Sequence, residues 1–550
     1  MKERAPRAKF RTRRPRCLHL SLNELNMTEA STIKAGDEFA AMFQGSGLPA
    51  LRPATEGRRG NTPGPYIKLV NARILDGTGA PPWGPADLII EHGRITGLAK
   101  AGKAKPSDSR LTDDDFHVID CAGKFLTPGF VDCHAHIGAP FHAKNGRQPS
   151  ADYVYKLWLA HGVTTVRETG CFNGLSWTLE QKEASKSGKI DAPAIRAYAP
   201  FPATTDYVKS IHTPDQAMAW LQAVKQAGAD GVKFFGAPPM IMKAALETCA
   251  DLGLGSCCHH AQLAVGRMNA LQTARWGLSS TEHSYGIPET LLEDRTLQAF
   301  PTDYDYGDEY LRFAAAGQTF LQAAKPGSAK WQSVLEGFLE AKHTFVPTLN
   351  VYDANRDLMR TRRADWHERF TDPTLWAYFQ PQRGGHGAYW YRWSTTNEIE
   401  WRETFRLWMR FVNDYKNLGG RIGVGSDSGF MYQTYGFGYV RELELLQEAG
   451  FSPLEVMRAA TAWGAELLGV AEDTGSLEIG KRADVLIHRE NPLTDFKLLY
   501  GTGAMRLNDT TKTVDWDRSL EKVIKGGVVY DPAELLRDVE EMVTAAREAA

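Results

Sequence analysis

The stretch that decides the fold is Gly129-Phe130-Val131-Asp132-Cys133-His134-Ala135-His136. A short apolar run after a glycine predicts a buried strand, and polar side chains follow at its carboxyl end. Because strand side chains alternate with a period of two, His134 and His136 point to the same side. Two imidazoles on one side of a strand end can chelate a metal ion.

Seven more segments along the chain have the same form, and helical patterns separate them. The helix pattern over Thr213–Ala227 is the clearest, because Thr213 and Gln216 form a capping box around Pro214 at the first helical position. The strand candidates are Gly129–His136, Val163–Glu168, Ala194–Ala199, Gly231–Phe235, Leu254–His260, Ser279–His283, Phe345–Asn350 and Arg421–Asp427. Eight parallel strands with intervening helices predict an α/β fold, a TIM (β/α)8 barrel.

Short strand patterns of a different kind occur near both ends of the chain. A few strands bury little surface, so we expect the two groups to combine into one small composite β-sandwich domain. The predicted divisions are an N-terminal extension (1–65), the composite sandwich (66–124 and 475–531), the barrel (125–474) with an aromatic-rich insertion (353–420), and a C-terminal helix (532–550).

Polar side chains collect at the ends of the predicted barrel strands. In a TIM barrel these ends meet at the face that carries the active site. A single His-x-His pair often has only a structural role, but here the other strand ends also carry possible ligands. They are Lys233 in strand four, His259 and His260 in strand five, Glu282 and His283 in strand six, and Asp427 in strand eight.

Lys233 is the most informative of these side chains. It stands between Val232 and Phe234 in a central strand, where an unpaired ammonium group is costly to bury. A nearby divalent cation would increase that cost. Reaction of the amine with carbon dioxide would instead give an anionic carbamate, which can bridge two metal ions.

Composition limits the classes of partner and location. The 550 residues contain 64 Lys+Arg and 66 Asp+Glu, a formal net charge of -2, which disfavours nucleic acid or an anionic membrane as a partner. No run approaches the roughly 20 apolar residues of a membrane helix. Seven irregularly spaced cysteines indicate reduced thiols and a cytoplasmic location. The Arg- and Lys-rich start predicts disorder, and Met27 is a candidate for the native first residue.

Five motifs together resemble the amidohydrolase superfamily, in particular its imidazolonepropionase-like and Xaa-Pro dipeptidase-like branch. The resemblance covers residues 66 to about 531 and rests on residues 129–136, 162–170, 231–233, 280–283 and 425–429. It implies two divalent metal ions, with His134 and His136 on one ion and carbamylated Lys233 as the bridge. It also implies a strand-five histidine and His283 on the second ion, and Asp427 as ligand and proton shuttle.

Two departures from the family pattern leave questions open. Strand five offers both His259 and His260: the spacing from Gly253 favours His259, and the following Ala261 favours His260. Glu168 replaces the commoner aspartate after strand two, a change that we expect to be tolerated.

Imidazole and carboxylate-type ligands favour zinc, with manganese or cobalt as possible substitutes. The predicted reaction is hydrolysis of an amide bond in a dipeptide-like or N-acyl amino acid substrate by a metal-activated hydroxide, with Asp427, Lys233 and His283 as catalytic residues. The alternatives are a cyclic amide hydrolase of the imidazolonepropionase type, or a non-catalytic scaffold with this fold. A homo-oligomer is also expected.

Substrate contacts are harder to predict from the sequence. Tyr285 and Tyr352 are candidate donors to a substrate carboxylate or oxyanion. The insertion 353–420 holds the densest aromatic cluster in the chain. It could form a lid over the barrel mouth with an apolar pocket, or it could be a packed helical excursion; both interpretations stay open.

Overall fold

The computed structural model describes residues 50–549 except 56, 58, 59, 61–63, 203–210, 263 and 383–386. The basic start of the chain and Met27 lie outside the described residues, as does most of the predicted N-terminal extension.

One curled sheet of eight parallel strands forms a TIM-like barrel, as predicted. The strands lie side by side in sequence order. Their bounds are β6 Phe130–Ala135, β7 Val163–Thr169, β8 Ala194–Pro200, β9 Gly231–Phe234, β10 Gly255–Cys258, β11 Ser280–Glu282, β12 Thr344–Val346 and β13 Arg421–Ile422.

Strands β12 and β13 are shorter than the sequence pattern predicts. Beyond Ile422 the chain hydrogen-bonds to the first strand: Cys133 N donates to Val424 O (2.7 Å), and Asp427 N donates to His134 O (2.7 Å). These backbone bonds join the last and first strand segments. The segment 423–427 therefore completes the barrel without forming a regular ladder.

Sixteen α-helices are described, and most barrel strands are followed in the chain by one of them. Thr213 accepts a hydrogen bond from Gln216 N (3.2 Å), so the predicted capping box is present. The helices are α1 Ala151–Ala160, α2 Leu175–Lys186, α3 Pro214–Ala227, α4 Pro239–Asp251, α5 Ala270–Arg275, α6 Glu309–Ala316, α7 Ala329–Glu340, α8 Asp353–Arg356, α9 Leu358–Arg362, α10 His367–Phe370, α11 Pro373–Tyr378, α12 Thr395–Asn417, α13 Phe437–Glu448, α14 Pro453–Ala460, α15 Ala462–Leu467 and α16 Pro532–Glu548.

A second sheet combines strands from both ends of the chain. Strand Phe125–Pro128 pairs antiparallel with strand Val485–His488, with Leu126 opposite Ile487. The eight strands are β1 Tyr66–Ile74, β2 Trp83–Glu91, β3 Arg94–Lys100, β4 His117–Asp120, β5 Phe125–Pro128, β14 Val485–His488, β17 Leu520–Lys525 and β18 Val528–Tyr530. The mixed origin of this sheet agrees with the sequence analysis, whereas its packing as a two-layer sandwich and the domain boundaries stay predictions.

Charged side chains connect this sheet to the barrel. Arg482 forms ion pairs with Asp484 (2.7 Å) and Asp473 (2.6 Å) and donates to Thr165 Oγ1 of β7 (3.2 Å). A separate hairpin, β15 Ala504–Leu507 and β16 Val514–Asp517, follows in the same part of the chain. Among the described helices, none has the length and apolar character that a membrane crossing requires.

Gly425 provides a test of how tightly the barrel closes. A Cβ atom there would lie 2.5 Å from Val346 Cγ1 and 2.7 Å from His134 Cβ. We expect Gly425→Ala to lower the free energy of unfolding by about 1–3 kcal/mol, because the core must shift to admit the methyl group. Urea titration measures the change.

Gly307→Ala is the matched control, because its nearest neighbour would be Asp305 Oδ1 at 3.3 Å. It should change the free energy of unfolding by no more than about 0.5 kcal/mol. Equal stability of the two variants would show that the closure around Gly425 is looser than the structure indicates.

Candidate metal centre

Three side chains converge at the carboxyl ends of the first and last barrel strands. His136 Nε2 lies 3.1 Å from Asp427 Oδ1, and His134 Nε2 lies 3.6 Å from the same oxygen. His283 Nε2 approaches the other oxygen, Asp427 Oδ2, at 3.8 Å. One ligand atom from each of His134, His136 and Asp427 fits within 4.8 Å of the others, and all three residues are buried.

Hydrogen bonds fix the orientation of two of these imidazole rings. His134 Nδ1 contacts Glu282 Oε2, and His283 Nδ1 lies 2.6 Å from Thr348 Oγ1. When Nδ1 is held in this way, Nε2 is the nitrogen left to bind a ligand. The arrangement therefore fits a divalent metal ion: imidazole nitrogens and a carboxylate oxygen face the same point, and outer partners hold the rings.

The structure places the other predicted ligands around the same cavity, with one exception. Lys233 and His259 line it, and the His259 ring centre lies 4.8 Å from that of His283. Lys233 is buried with its Nζ 5.4 Å from the centre of the Phe235 ring. His260 points elsewhere, since its Nε2 lies 2.8 Å from Thr273 Oγ1.

Strand register explains why His259 and not His260 reaches the cavity. Lys233 of β9 stands opposite Cys257 of β10. Paired residues of neighbouring parallel strands point to the same side, so Cys257 faces inward with Lys233 and His259 follows it by alternation.

A buried ion pair lies beneath the histidines inside the barrel. Arg167 Nη2 donates to both oxygens of Glu282 (2.8 Å each), and Ser280 Oγ donates to Glu282 Oε1 (2.5 Å). Both charged side chains are fully buried. Burial alone would raise the pKa of the Glu282 carboxyl, but Arg167 and His134 lower it overall, so Glu282 stays ionised.

Burial and neighbouring charges also set the protonation of the converging groups. Burial, with a contribution from Lys233, lowers the pKa of His134 to about 4, which favours the neutral imidazole that binds metals. Burial by itself would raise the pKa of Asp427, but the rings of His134, His136 and His283 lower it overall. Burial raises the pKa of Glu168, whose Oε1 lies 4.0 Å from His136 Nδ1, to about 8.

Backbone strain is concentrated at this site. His283, Thr348 and Asp427 have left-handed φ angles of 62°, 48° and 43°. Such angles are unfavourable for residues other than glycine and occur mainly where function requires them. The left-handed turn at His283 breaks strand alternation. The consecutive residues Glu282 and His283 therefore both contact groups of the site, His134 and Asp427 respectively.

The converging groups lie in a cavity of about 380 Å³, a size typical of small-molecule sites. Its walls differ in character. Phe172 and Phe430 form an aromatic part near His136, and Tyr306, Glu309 and Arg312 form a part with polar and charged groups. The lining residues are His134, His136, Phe141, Lys144, Asn145, Phe172, Lys233, Phe235, His259, His283, Tyr306, Glu309, Arg312, Val351, Tyr352, Tyr378, Gln382, Asp427, Phe430 and Met431.

The aromatic-rich insertion is mostly packed structure. Of the described part of residues 353–420, only Tyr378 and Gln382 line the cavity. Trp366 instead stacks on Phe437 and Tyr500, with ring centres 5.0 Å and 5.2 Å apart. The packed-excursion interpretation therefore describes most of this segment.

The two predicted tyrosines lie in different positions. Tyr352 lines the cavity, with its ring centre 5.8 Å from that of His283. Tyr285 is buried behind the wall, 5.0 Å from the His259 ring and 5.9 Å from Tyr352. Its role as a substrate donor stays a prediction.

Sequence reasoning missed the polar wall formed by Tyr306, Glu309 and Arg312. These residues belong to the excursion between β11 and β12, far from any strand end, and no motif marks them. Sequence reasoning also missed Phe172 and Phe430, which form the aromatic part of the wall. Phe172 follows β7 and Phe430 follows Asp427, so their closeness to predicted strand ends was the available signal.

Comparison with known proteins gives short sequence matches and a long structural one. A family model described as the amidohydrolase family matches residues 408–529. The imidazolonepropionase of Colwellia psychrerythraea is 46% identical over 75 residues, which cover 13% of this chain and 17% of that protein. The chain thus matches less than a fifth of this relative's length.

Solved structures resemble the chain over most of its length. A Xaa-Pro dipeptidase with methionine bound in its active site superposes with a TM-score of 0.56 at 17% identity, covering 85% of this chain and all (100%) of that one. A bottromycin amidohydrolase gives a TM-score of 0.59 at 19% identity, covering 93% and 96%. At these identities the likeness establishes the fold.

Thr348 offers a test of ring orientation at the centre. We expect Thr348→Val to weaken metal binding by about 10- to 100-fold, because His283 loses the hydroxyl that holds its Nδ1. Competition with a fluorescent chelator measures the affinity. Thr248→Val removes a hydroxyl bonded to Ala244 O on α4 and is the control; equal affinities of both variants would contradict the assignment.

Proposed function

We propose that this chain, a member of the amidohydrolase superfamily, is a binuclear metal-dependent hydrolase that cleaves an amide bond of a dipeptide-like or N-acyl amino acid substrate. The observation that carries the proposal is the convergence of the Nε2 atoms of His134, His136 and His283 on the Asp427 carboxylate within one small-molecule cavity.

The described residues provide enough ligands for two ions. His134 and His136 would hold the first, His259 and His283 the second, and Asp427 would be a further oxygen ligand. Lys233 lies on the same cavity wall and would bridge the ions as its carbamate. Bound divalent ions would polarise the substrate carbonyl and make a water molecule more acidic.

Asp427 is the proposed proton carrier. The neighbouring imidazoles lower its pKa, so the side chain is an ionised carboxylate. It would accept the proton that the attacking water loses and donate it to the leaving nitrogen as the carbon–nitrogen bond breaks. The products are a carboxylic acid and an amine, and the carboxylate returns to its starting state.

The names of similar proteins support an amide substrate. The Xaa-Pro dipeptidase and the bottromycin amidohydrolase share the fold over at least 85% of this chain. The methionine bound in the dipeptidase is consistent with a cavity for amino-acid-like molecules.

A cyclic amide hydrolase is the second candidate, because the imidazolonepropionase match extends over 75 residues. A panel of dipeptides, N-acyl amino acids, hydantoins and an imidazolone separates the two. Turnover of the cyclic compounds alone would favour this second candidate, and turnover of the linear amides would favour the first.

Metal content is the first test of the proposal. Purified protein should contain close to two divalent ions per chain. Prolonged chelation should abolish activity until zinc, manganese or cobalt is restored, because the ions activate both water and carbonyl. Elemental analysis that finds only traces of metal would support the non-catalytic scaffold.

Asp427→Asn tests the proton carrier. The amide keeps the shape of the side chain but cannot accept the proton, so kcat should fall by at least about 10²-fold. Metal analysis of the same preparation is the control. Full turnover with unchanged metal content would show that another group carries the proton.

Substitutions of Lys233 test the bridging carbamate. Lys233→Ala should lose metal and activity together, and acetate or propionate should restore part of both by supplying the missing carboxylate. Lys233→Glu should retain partial metal binding through a shorter anion.

Lys233→Arg is the decisive variant in this series, because it keeps the positive charge and forms no such carbamate. It should be inactive. Wild-type activity of Lys233→Arg would exclude the carbamate and favour a mononuclear site built on His134, His136, His283 and Asp427.

A further inference from the structure

Arg312 is a buried cation on the cavity wall that the proposed chemistry does not use. It lies in the first turn of α6 and is 8% exposed. Its Nη1 donates to Glu309 Oε1 at 3.2 Å, whereas its Nε–H has no hydrogen-bond partner among the residues that the structure describes. A guanidinium group carries five N–H donors, so this one retains capacity for another acceptor.

Aromatic packing fixes the position of this guanidinium. Its Cζ lies 4.5 Å from the ring centre of Tyr306 and 5.0 Å from that of Phe313. The Phe313 ring stacks on Tyr389 with ring centres 4.0 Å apart, and the backbone oxygen of Phe313 accepts a hydrogen bond from Trp401 Nε1 (2.8 Å). Arg312 is therefore held in place before any ligand arrives, which lowers the entropic cost of binding one.

Another part of the cavity wall is aromatic. Phe172 stacks on His136 with ring centres 4.2 Å apart, and Phe141 contacts Phe430 at 5.7 Å and Tyr378 at 5.5 Å. Phe141, Phe172 and Phe430 follow the first, second and last barrel strands, and Tyr378 belongs to α11. Arg312 lies on α6, between strands six and seven, and lines the same cavity.

We propose that Arg312 binds a carboxylate group of the substrate, while the apolar or aromatic group of the same molecule occupies the wall formed by Phe141, Phe172, Tyr378 and Phe430. This inference rests on the proposed function in one respect: the scissile amide lies between these two ends. It assigns a specificity-determining residue and restricts the substrate to an amide with an anionic end and an apolar end.

The chemistry of the Arg312 guanidinium favours a carboxylate ligand. A planar guanidinium matches a carboxylate with two parallel hydrogen bonds, and burial strengthens such a charged pair. Glu309 occupies one side of the group and leaves the remaining donors for a second acceptor. A neutral substrate would leave these donors without an acceptor, which is costly in a buried site.

Equilibrium binding of a non-hydrolysable probe tests the inference. The probe is β-benzoylpropionate, in which a methylene group replaces the amide nitrogen of an N-benzoyl amino acid. Its neutral counterpart carries a hydroxymethyl group in place of the carboxylate. Isothermal titration calorimetry gives the affinity of both compounds for the full-length, metal-loaded wild type, Arg312→Met and Arg312→Lys.

Wild type should bind the acid more tightly than the alcohol. Arg312→Met should lose about 10- to 100-fold in affinity for the acid, the equivalent of a charge-assisted hydrogen bond, and keep its affinity for the alcohol within about twofold. Arg312→Lys should be intermediate, because it keeps the charge but not the planar pair of donors.

Arg363→Met is the control for a general loss of positive charge, since Arg363 is exposed and is not among the cavity-lining residues. It should leave both affinities unchanged. Circular dichroism and metal content establish that each variant is folded and loaded.

The inference is overturned if Arg312→Met binds the acid as tightly as wild type, or loses affinity for acid and alcohol equally. These results need no turnover. Absence of amide hydrolysis would reject the proposed function without affecting them, and a carboxylate preference that depends on Arg312 would still stand.

Discussion

The site depends on the buried ion pair between Arg167 and Glu282 inside the barrel. Glu282 joins three strands: it belongs to β11, pairs with Arg167 of β7 and contacts the Nδ1 atom of His134 of β6. Because neither charge reaches water, each requires the other, and removal of one partner would leave an uncompensated buried charge. The orientation of the His134 ring, and with it the floor of the cavity, follows from this pair.

Other parts of the chain support the walls of the cavity. Of the described aromatic residues of the insertion, only Tyr378 lines the cavity. Tyr389 and Trp401 pack against Phe313, and the helix that carries Phe313 presents Arg312 to the cavity. Such support is typical of binding sites, where a side chain keeps one position only when the residues packed against it are rigid.

Much of the fold could be predicted from the sequence, because it follows from local patterns. Alternation along the first strand placed His134 and His136 on one side, and the strand and helix rhythm predicted the parallel barrel. The choice between His259 and His260 required the register of β10 against β9, which depends on contacts distant in sequence. The left-handed turns at His283 and Asp427 have no local signal either, since tertiary contacts impose them. Arg312 could not be found because its place on the wall depends on the path of a long excursion.

The shared sheet has a consequence for how the protein is made. Strand β5 pairs with β14, so the hydrogen-bonded ladder at Leu126 is complete only after Ile487, more than 350 residues later, has been synthesised. At a synthesis rate of roughly 5–20 residues per second, this interval lasts about 20–70 s. During that time the apolar strands β1, β2 and β5 have an open edge, which is the kind of surface that promotes association between nascent chains. We therefore expect the nascent chain to expose this edge for longer than a protein whose sheets close in sequence order.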